Sequence, residues 1–143
     1  MSFSPADIQL SIEAMDHVAL TVKDPLLSMD WYQKYLGFSP ASMEGLDQGP
    51  PFILRITTGC YLNLFPADTA SPLPSPDHNT LAMRHVALRV TYSRICEVEM
   101  ALKANGLTVS SYDYGPRCRS IFIADPDGHQ IELIGYGDGV FTG

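Results

Sequence analysis

A six-residue phrase is written twice in this chain. His17-Val18-Ala19-Leu20-Thr21-Val22 returns as His85-Val86-Ala87-Leu88-Arg89-Val90, an offset of 68 with five of the six residue types kept. Both copies alternate, with His, Ala and Thr or Arg on one face and Val, Leu and Val on the other. That period of two is the mark of a strand with one buried face. A second echo sits at nearly the same offset. Gly59-Cys60-Tyr61-Leu62-Asn63-Leu64-Phe65 matches Gly128-His129-Gln130-Ile131-Glu132-Leu133-Ile134, 69 positions on, with Gly, an aliphatic residue and Leu in register. Two echoes at one spacing identify a duplicated unit, and a duplication constrains the fold more than any local propensity does.

The segments between the echoes give the unit its plan. Strand Met15 to Lys23 is followed by Asp24-Pro25, a cap and first-turn proline that open a helix through Trp31 and Leu36, closed by Gly37. Strands are then expected at 38–43, 52–57 and 60–65. Pro66 to Asn79 holds four prolines and little apolar periodicity, as a long surface connection does. The second half repeats the order: strand Met83 to Val90, helix Ser93 to Asn105 closed by Gly106, then strands at 107–112, 118–124 and 130–134. Asp125-Pro126-Asp127-Gly128 joins the last two. Before the first strand, Ser4 and Pro5 read as the start of a short helix that docks Ile8 and Ile12 on the body. The expected fold class is α+β, two tandem β-α-β-β-β units forming a curved, cleft-enclosing mixed sheet. Residues 1–143 form a single domain on this reading, with unit one at about 15–66, a loop at 67–80 and unit two at about 82–136.

Composition narrows the partners. The 143 residues are 45% hydrophobic and 17% charged, as in a globular protein with a core of its own. A net charge of −7 disfavours nucleic acid and anionic membrane. No apolar run reaches spanning length, and the N-terminus lacks the pattern of a secretion signal. Three scattered cysteines, Cys60, Cys96 and Cys118, read as free thiols of a reducing compartment. A cytoplasmic location is expected.

The alternation selects the residues that share the cleft. With the Val and Leu faces packed on the helices, His17, His85, Asn63 and Glu132 look into the cleft in symmetry-related pairs. One histidine in a strand is ordinarily a packing residue. Two at equivalent positions of a repeat, with a glutamate between Ile131 and Leu133, need a common explanation, because glutamate is seldom buried unpaired. Two imidazoles and a carboxylate suit Fe(II), Mn(II), Ni(II), Co(II) or Zn(II) with coordination positions left open. Glu132 is also the candidate for moving protons. Asn63 offers an amide oxygen. Phe122 and Ser120 share the face of Glu132 and, with Asn63, are expected to contact substrate, as is Arg55 on the equivalent strand of unit one, which could anchor a carboxylate or phosphate. Arg89 reads as half of a salt bridge, Arg117 and Arg119 as solvated charge, and His78 and His129 as surface residues.

The two units, the His-Val-Ala-Leu strands and the run Asp125-Pro126-Asp127-Gly128-His129-Gln130-Ile131-Glu132-Leu133 resemble the vicinal oxygen chelate superfamily over about residues 15 to 136. This is the glyoxalase, bleomycin-resistance and extradiol-dioxygenase group. The resemblance places its metal ligands on His17, His85 and Glu132, and implies a small substrate that presents vicinal oxygens to a Lewis-acidic ion. It implies isomerase, lyase or dioxygenase chemistry, with units paired within one chain or across a homodimer. Asn63 stands where glyoxalase I carries a glutamate. Phe122, ten residues before Glu132, stands where fosfomycin-resistance and extradiol enzymes carry a tyrosine. An amide beside two histidines and a glutamate is similar to methylmalonyl-CoA epimerase. The other class that the resemblance leaves open is a non-catalytic protein of the bleomycin-resistance type, which captures a small apolar ligand in the cleft.

Overall fold

The computed structural model describes residues 10–46 and 48–141. Eight strands and two helices run β1 (His17–Val22), α1 (Pro25–Leu36), β2 (Ser39–Ala41), β3 (Phe52–Thr57), β4 (Cys60–Pro66), β5 (Val86–Arg89), α2 (Ile95–Ala104), β6 (Ser110–Asp113), β7 (Cys118–Ala124) and β8 (Gln130–Tyr136). They form two four-stranded mixed sheets of identical plan, β1-β4-β3-β2 and β5-β8-β7-β6. In each, the first and last strands of the unit pair in parallel and the others are antiparallel. This is an α+β fold, and the duplication seen in the sequence is a duplication of structure.

Local chemistry sets the first helix. The Asp24 side chain accepts from the amides of Leu26 and Leu27 at 3.1 and 3.2 Å, and Pro25 opens the first turn without an amide to satisfy. Gly37 ends it at φ 69°, a left-handed conformation that a side chain would strain. Entry to α2 is different. A 3-10 turn, Tyr92–Arg94, leads in without a side-chain cap. That turn presses on β8 at Gly135, where a Cβ would stand 2.9 Å from the Tyr92 Cα, so only glycine fits.

The alternation read from the sequence holds in both sheets. Val18 and Val22 are buried while His17, Ala19 and Thr21 are not, and Ile131 and Leu133 are buried against the helix side. The core joins both units, from Val18, Tyr32, Leu54, Leu62 and Leu64 to Ile95, Ile121, Ile123, Ile131 and Leu133. Leu54 and Leu64 are fully buried, and truncating either to alanine should cost about 2–5 kcal/mol.

Several expected boundaries shift. The second copy of the repeated phrase becomes a strand only from Val86, so His85 lies at its mouth. Strand β6 starts at Ser110, because Leu107 and Val109 are spent packing against the core on the way from α2. Strand β8 runs on to Tyr136, held by pairing with Cys118 and Arg119. The expected N-terminal cap at Ser4 and the partner Ile8 lie outside the described residues. Ile12 is 82% exposed in irregular chain and docks on nothing described. Among the described residues no helix is long and apolar enough to cross a membrane.

The turn between β7 and β8 fastens the units together. Asp125 Oδ1 accepts from the amides of Asp127 and His129, both at 2.9 Å, which closes the turn on itself. Its other oxygen accepts from the Tyr32 hydroxyl of α1 at 2.7 Å. His129 Nε2 donates to the Thr21 carbonyl at 2.8 Å, and the Lys23 amide donates to Asp127. His129 is thus a fastening between units and not a surface residue. Burial, with the Asp125 carboxylate beside it, pushes the Tyr32 phenol far above its ordinary range.

Candidate metal and substrate site

Glu132 is the centre of the second sheet's open face. It is 4% exposed, its Oε2 accepts from the Ser120 hydroxyl at 2.7 Å, and its Oε1 lies 2.9 Å from His85 Nε2. Register explains the arrangement. Phe122 stands opposite Glu132 on β7, so Ser120, two residues back, reaches the carboxylate diagonally. The Phe122 ring meets the His85 imidazole edge-on, with centroids 5.8 Å apart. His85, Glu132, Ser120 and Phe122 therefore come together as one cluster, with the His85 side chain 30% exposed towards a cleft of about 600 Å³. A recess of about 250 Å³ adjoins it, between β1 and the starts of β5 and β8.

The first sheet's open face carries the rest of the expected set. His17 pairs with Tyr61, and Ala19 with Asn63, along β1 and β4. Arg55 is exposed on β3. The His17 ring, 42% exposed, has its Nδ1 2.7 Å from the Asp16 carboxylate. With Nδ1 donating to that carboxylate, Nε2 is the ring nitrogen that would be offered to a metal. Asp16 escaped the sequence reading. Its only signal was adjacency to His17. Among the described residues of one chain, no three His, Cys, Asp or Glu side chains converge, so His17 does not join His85 and Glu132 within the chain.

The His85–Glu132 pair fits a metal ion by geometry and by donor chemistry. Adjacent ligands of an octahedral ion, each about 2.1 Å from it, stand about 3 Å apart, close to the 2.9 Å between Nε2 and Oε1. The buried carboxylate has one oxygen held by a hydroxyl and turns the other to the imidazole. Nitrogen and oxygen donors without thiolate suit the ions of the first transition row and zinc. Burial pushes the Cys118 thiol up, so the cysteine nearest the cluster stays protonated.

Other residues depart from expectation. Arg119 is not solvated. Its guanidinium bridges Glu99 of α2 at 3.0 and 3.2 Å and Asp113 of β6 at 3.0 Å, because α2 packs across β7 there. That hydrogen bonding holds the Glu99 carboxyl below its ordinary range. Arg117 donates to the Asp138 carbonyl. Arg89 forms no salt bridge among the described residues. It lies over the Tyr136 ring, 4.8 Å from its centroid, where the chain after β8 folds back. His78, read as a surface residue, lines the 600 Å³ cleft together with His85.

Residues 14–133 match the model of the Glyoxalase/Bleomycin resistance protein/Dioxygenase superfamily. The chain belongs to this superfamily. Solved structures agree on the fold. A glyoxylase/bleomycin resistance protein/dioxygenase domain from Frankia sp. EAN1pec superposes with a TM-score of 0.74 at 20% identity, covering 90% of this chain and 96% of its own. A glyoxalase/dioxygenase from Nostoc punctiforme gives 0.73 at 20% identity, covering 96% and 98%. A mutant of the fosfomycin resistance protein FosX from Listeria monocytogenes, complexed with Mn(II) and 1S,2S-dihydroxypropylphosphonic acid, gives 0.68 at 20% identity, covering 90% and 95%. No curated protein shows significant sequence similarity to the chain. Superfamily membership accounts for the doubled unit.

Proposed function

We propose that this superfamily member is a divalent-metal-dependent enzyme acting on a small substrate with vicinal oxygens, by isomerase, lyase or dioxygenase chemistry. The observation that carries the reading is the Ser120–Glu132–His85 relay, a buried carboxylate aimed at an imidazole on the wall of a cleft. His85 and Glu132 hold the ion, and His17 from a second copy of the chain completes the set in a homodimer. Asn63 and Arg55 enter the same cleft with His17 as contacts to substrate. The ion, when bound, polarises substrate oxygens as a Lewis acid. Ser120 fixes one oxygen of Glu132, so the other faces His85 on the cleft wall. Phe122 orients the His85 ring and excludes water from its edge. Glu132 is the one buried carboxylate on this face among the described residues, and so the group that exchanges protons with substrate. The FosX mutant complexed with Mn(II) and a dihydroxypropylphosphonic acid supports a metal and an oxygenated small molecule on this fold.

The test is metal quantitation on the full chain loaded in turn with Mn(II), Fe(II), Co(II), Ni(II) and Zn(II). Wild type should bind one ion per subunit, and His17→Ala and Glu132→Ala should each bind none. Co-refolding the two variants should restore about a quarter of the sites, because half of the random dimers are mixed and each mixed dimer has one intact pair. Equal metal content in all proteins would sink the proposal. Ligand-induced thermal stabilisation that survives metal stripping would favour capture of an apolar molecule instead.

A further inference from the structure

The cleft beside His85 is lined by one guanidinium, Arg84, and several neutral donors, and its lining carboxylate, Asp77, has one oxygen engaged within its own loop. Its walls include Arg84, His78, Gln130 and Tyr114, with Asp77 and His85. Among the described residues, the side chains of Arg84, His78, Gln130 and Tyr114 make no hydrogen bond or ion pair. The Asp77 carboxylate, by contrast, is turned back on its own loop. Its Oδ1 accepts from the Asn79 amide at 2.9 Å and the Thr80 hydroxyl at 3.3 Å. That short turn carries His78 and presents it to the cleft from the connection between the units. Glu132 is likewise taken, by Ser120 and His85. Arg84 and His85 precede β5, so the pleat does not force them to opposite faces, and both line the same space.

We propose that this cleft is the binding site for an oxyanion group of the substrate, a carboxylate or a phosphonate, with Arg84 as the principal anchor and His78 as its partner across the cleft. That the anion belongs to a substrate of the His85–Glu132 centre rests on the metal-enzyme reading above. The anion site itself does not. A guanidinium offers five N–H donors in a planar fork and no acceptor, so among ligands of the cleft an oxyanion matches it best. The chain's net charge of −7 argues against long-range attraction of anions. Screening over about 8 Å at physiological salt removes that field, and the local donors decide. Gln130 and Tyr114 add neutral donors whose partners are acceptor oxygens. This places the principal anion anchor on the connection, beside the metal centre.

The experiment uses the full-length, chelator-treated protein, titrated calorimetrically at physiological ionic strength with inorganic phosphate, methylphosphonate and propionate. At least one of these should bind. Arg84→Gln should weaken it about tenfold or more and His78→Gln about threefold, while Arg94→Gln, on the exposed surface of the second unit, should leave it unchanged. A preference for methylphosphonate over propionate marks a tetrahedral group, and the reverse a planar one. Arg84 is exposed, so thermal melts of the variant should match wild type. Wild-type affinity in Arg84→Gln, or no binding of any of the three anions to wild type, overturns the proposal. Anion binding that depends on Arg84 in a protein that takes up none of the five ions when loaded with them supports the oxyanion site and overturns the metal reading alone.

Discussion

In the second unit Phe122 stands opposite Glu132, and in the first Ile53 stands opposite Asn63 at the equivalent position. Two residues back along the same strand, unit two has Ser120, whose hydroxyl holds the carboxylate, and unit one has Pro51, with nothing to donate. The histidines differ in the same sense. His85 touches the carboxylate of its own sheet, while His17 leans on its neighbour Asp16 and leaves a ring nitrogen open. The two units share topology, register and buried faces. Their open faces have parted, one into a carboxylate held from behind and one into an oriented imidazole. A duplicated fold keeps what packing demands and frees what packing does not touch. Buried aliphatic positions resist change at a cost of several kcal/mol, whereas cleft positions can be reassigned almost without penalty to the fold.

That asymmetry can be broken most severely at Glu132. Glu132→Ala should lower metal affinity by more than about 100-fold, and Asn63→Ala, its counterpart, by less than about tenfold. Equal losses would mean the units contribute alike. A smaller effect is expected behind the ligands. Ser120→Ala and Asp16→Asn should each weaken metal binding about 10- to 100-fold while the fold is kept, measured by competition with a chelating dye. An unchanged affinity in Ser120→Ala would show that Glu132 needs no support. The fastening between units is tested at Tyr32. Tyr32→Phe removes a buried donor to Asp125 and should cost about 1.5–3 kcal/mol in urea unfolding. Its signature is alkaline. The Tyr32 phenol is held up in the folded protein, so its stability is complete below about pH 10, where the unfolded phenol ionises, and is lost above it. The variant should lack that alkaline loss. Smallest is the ion pair within unit two. Glu99 titrates below its ordinary range, so its contribution is present above about pH 4 and disappears as pH falls towards its lowered value. Arg119→Met should move the acid unfolding midpoint upward, and an unmoved midpoint would leave the pair without a role in acid stability.

Most of the plan was legible before any coordinates. Strict alternation told which side of β1 and β8 meets the helices, and the offset of the repeat paired His17 with His85 and Asn63 with Glu132. Ser120 and Phe122 followed from the same alternation along β7. What stayed hidden depends on how elements meet, which no period within one element encodes. Tyr32 looked like one more aromatic of a helix until Asp125 arrived from the other unit. His129 looked exposed because its partner is a backbone carbonyl 108 positions away. Arg119 lies on the helix side of its strand, where a charge was unexpected, and only the packing of α2 supplies Glu99. His78 lies in a proline-rich stretch without periodicity, and its aim depends on a turn closed by Asp77. The strand mouth at His85 was missed for a related reason, since the pattern continues upstream but the pairing of β5 with β8 begins only at Val86.

His85 sits one residue before β5, at the end of the long connection that also carries His78 and Arg84. One wall of the cleft is therefore made of chain that neither sheet needs for its hydrogen bonds. Lengthening, shortening or rewriting residues 67–84 changes what the cleft grips while Glu132 and Ser120 remain where the second sheet puts them. For selection, or for an engineer, that separates two kinds of novelty. New reactivity must be found within the sheets, and new clients can be found in the connector.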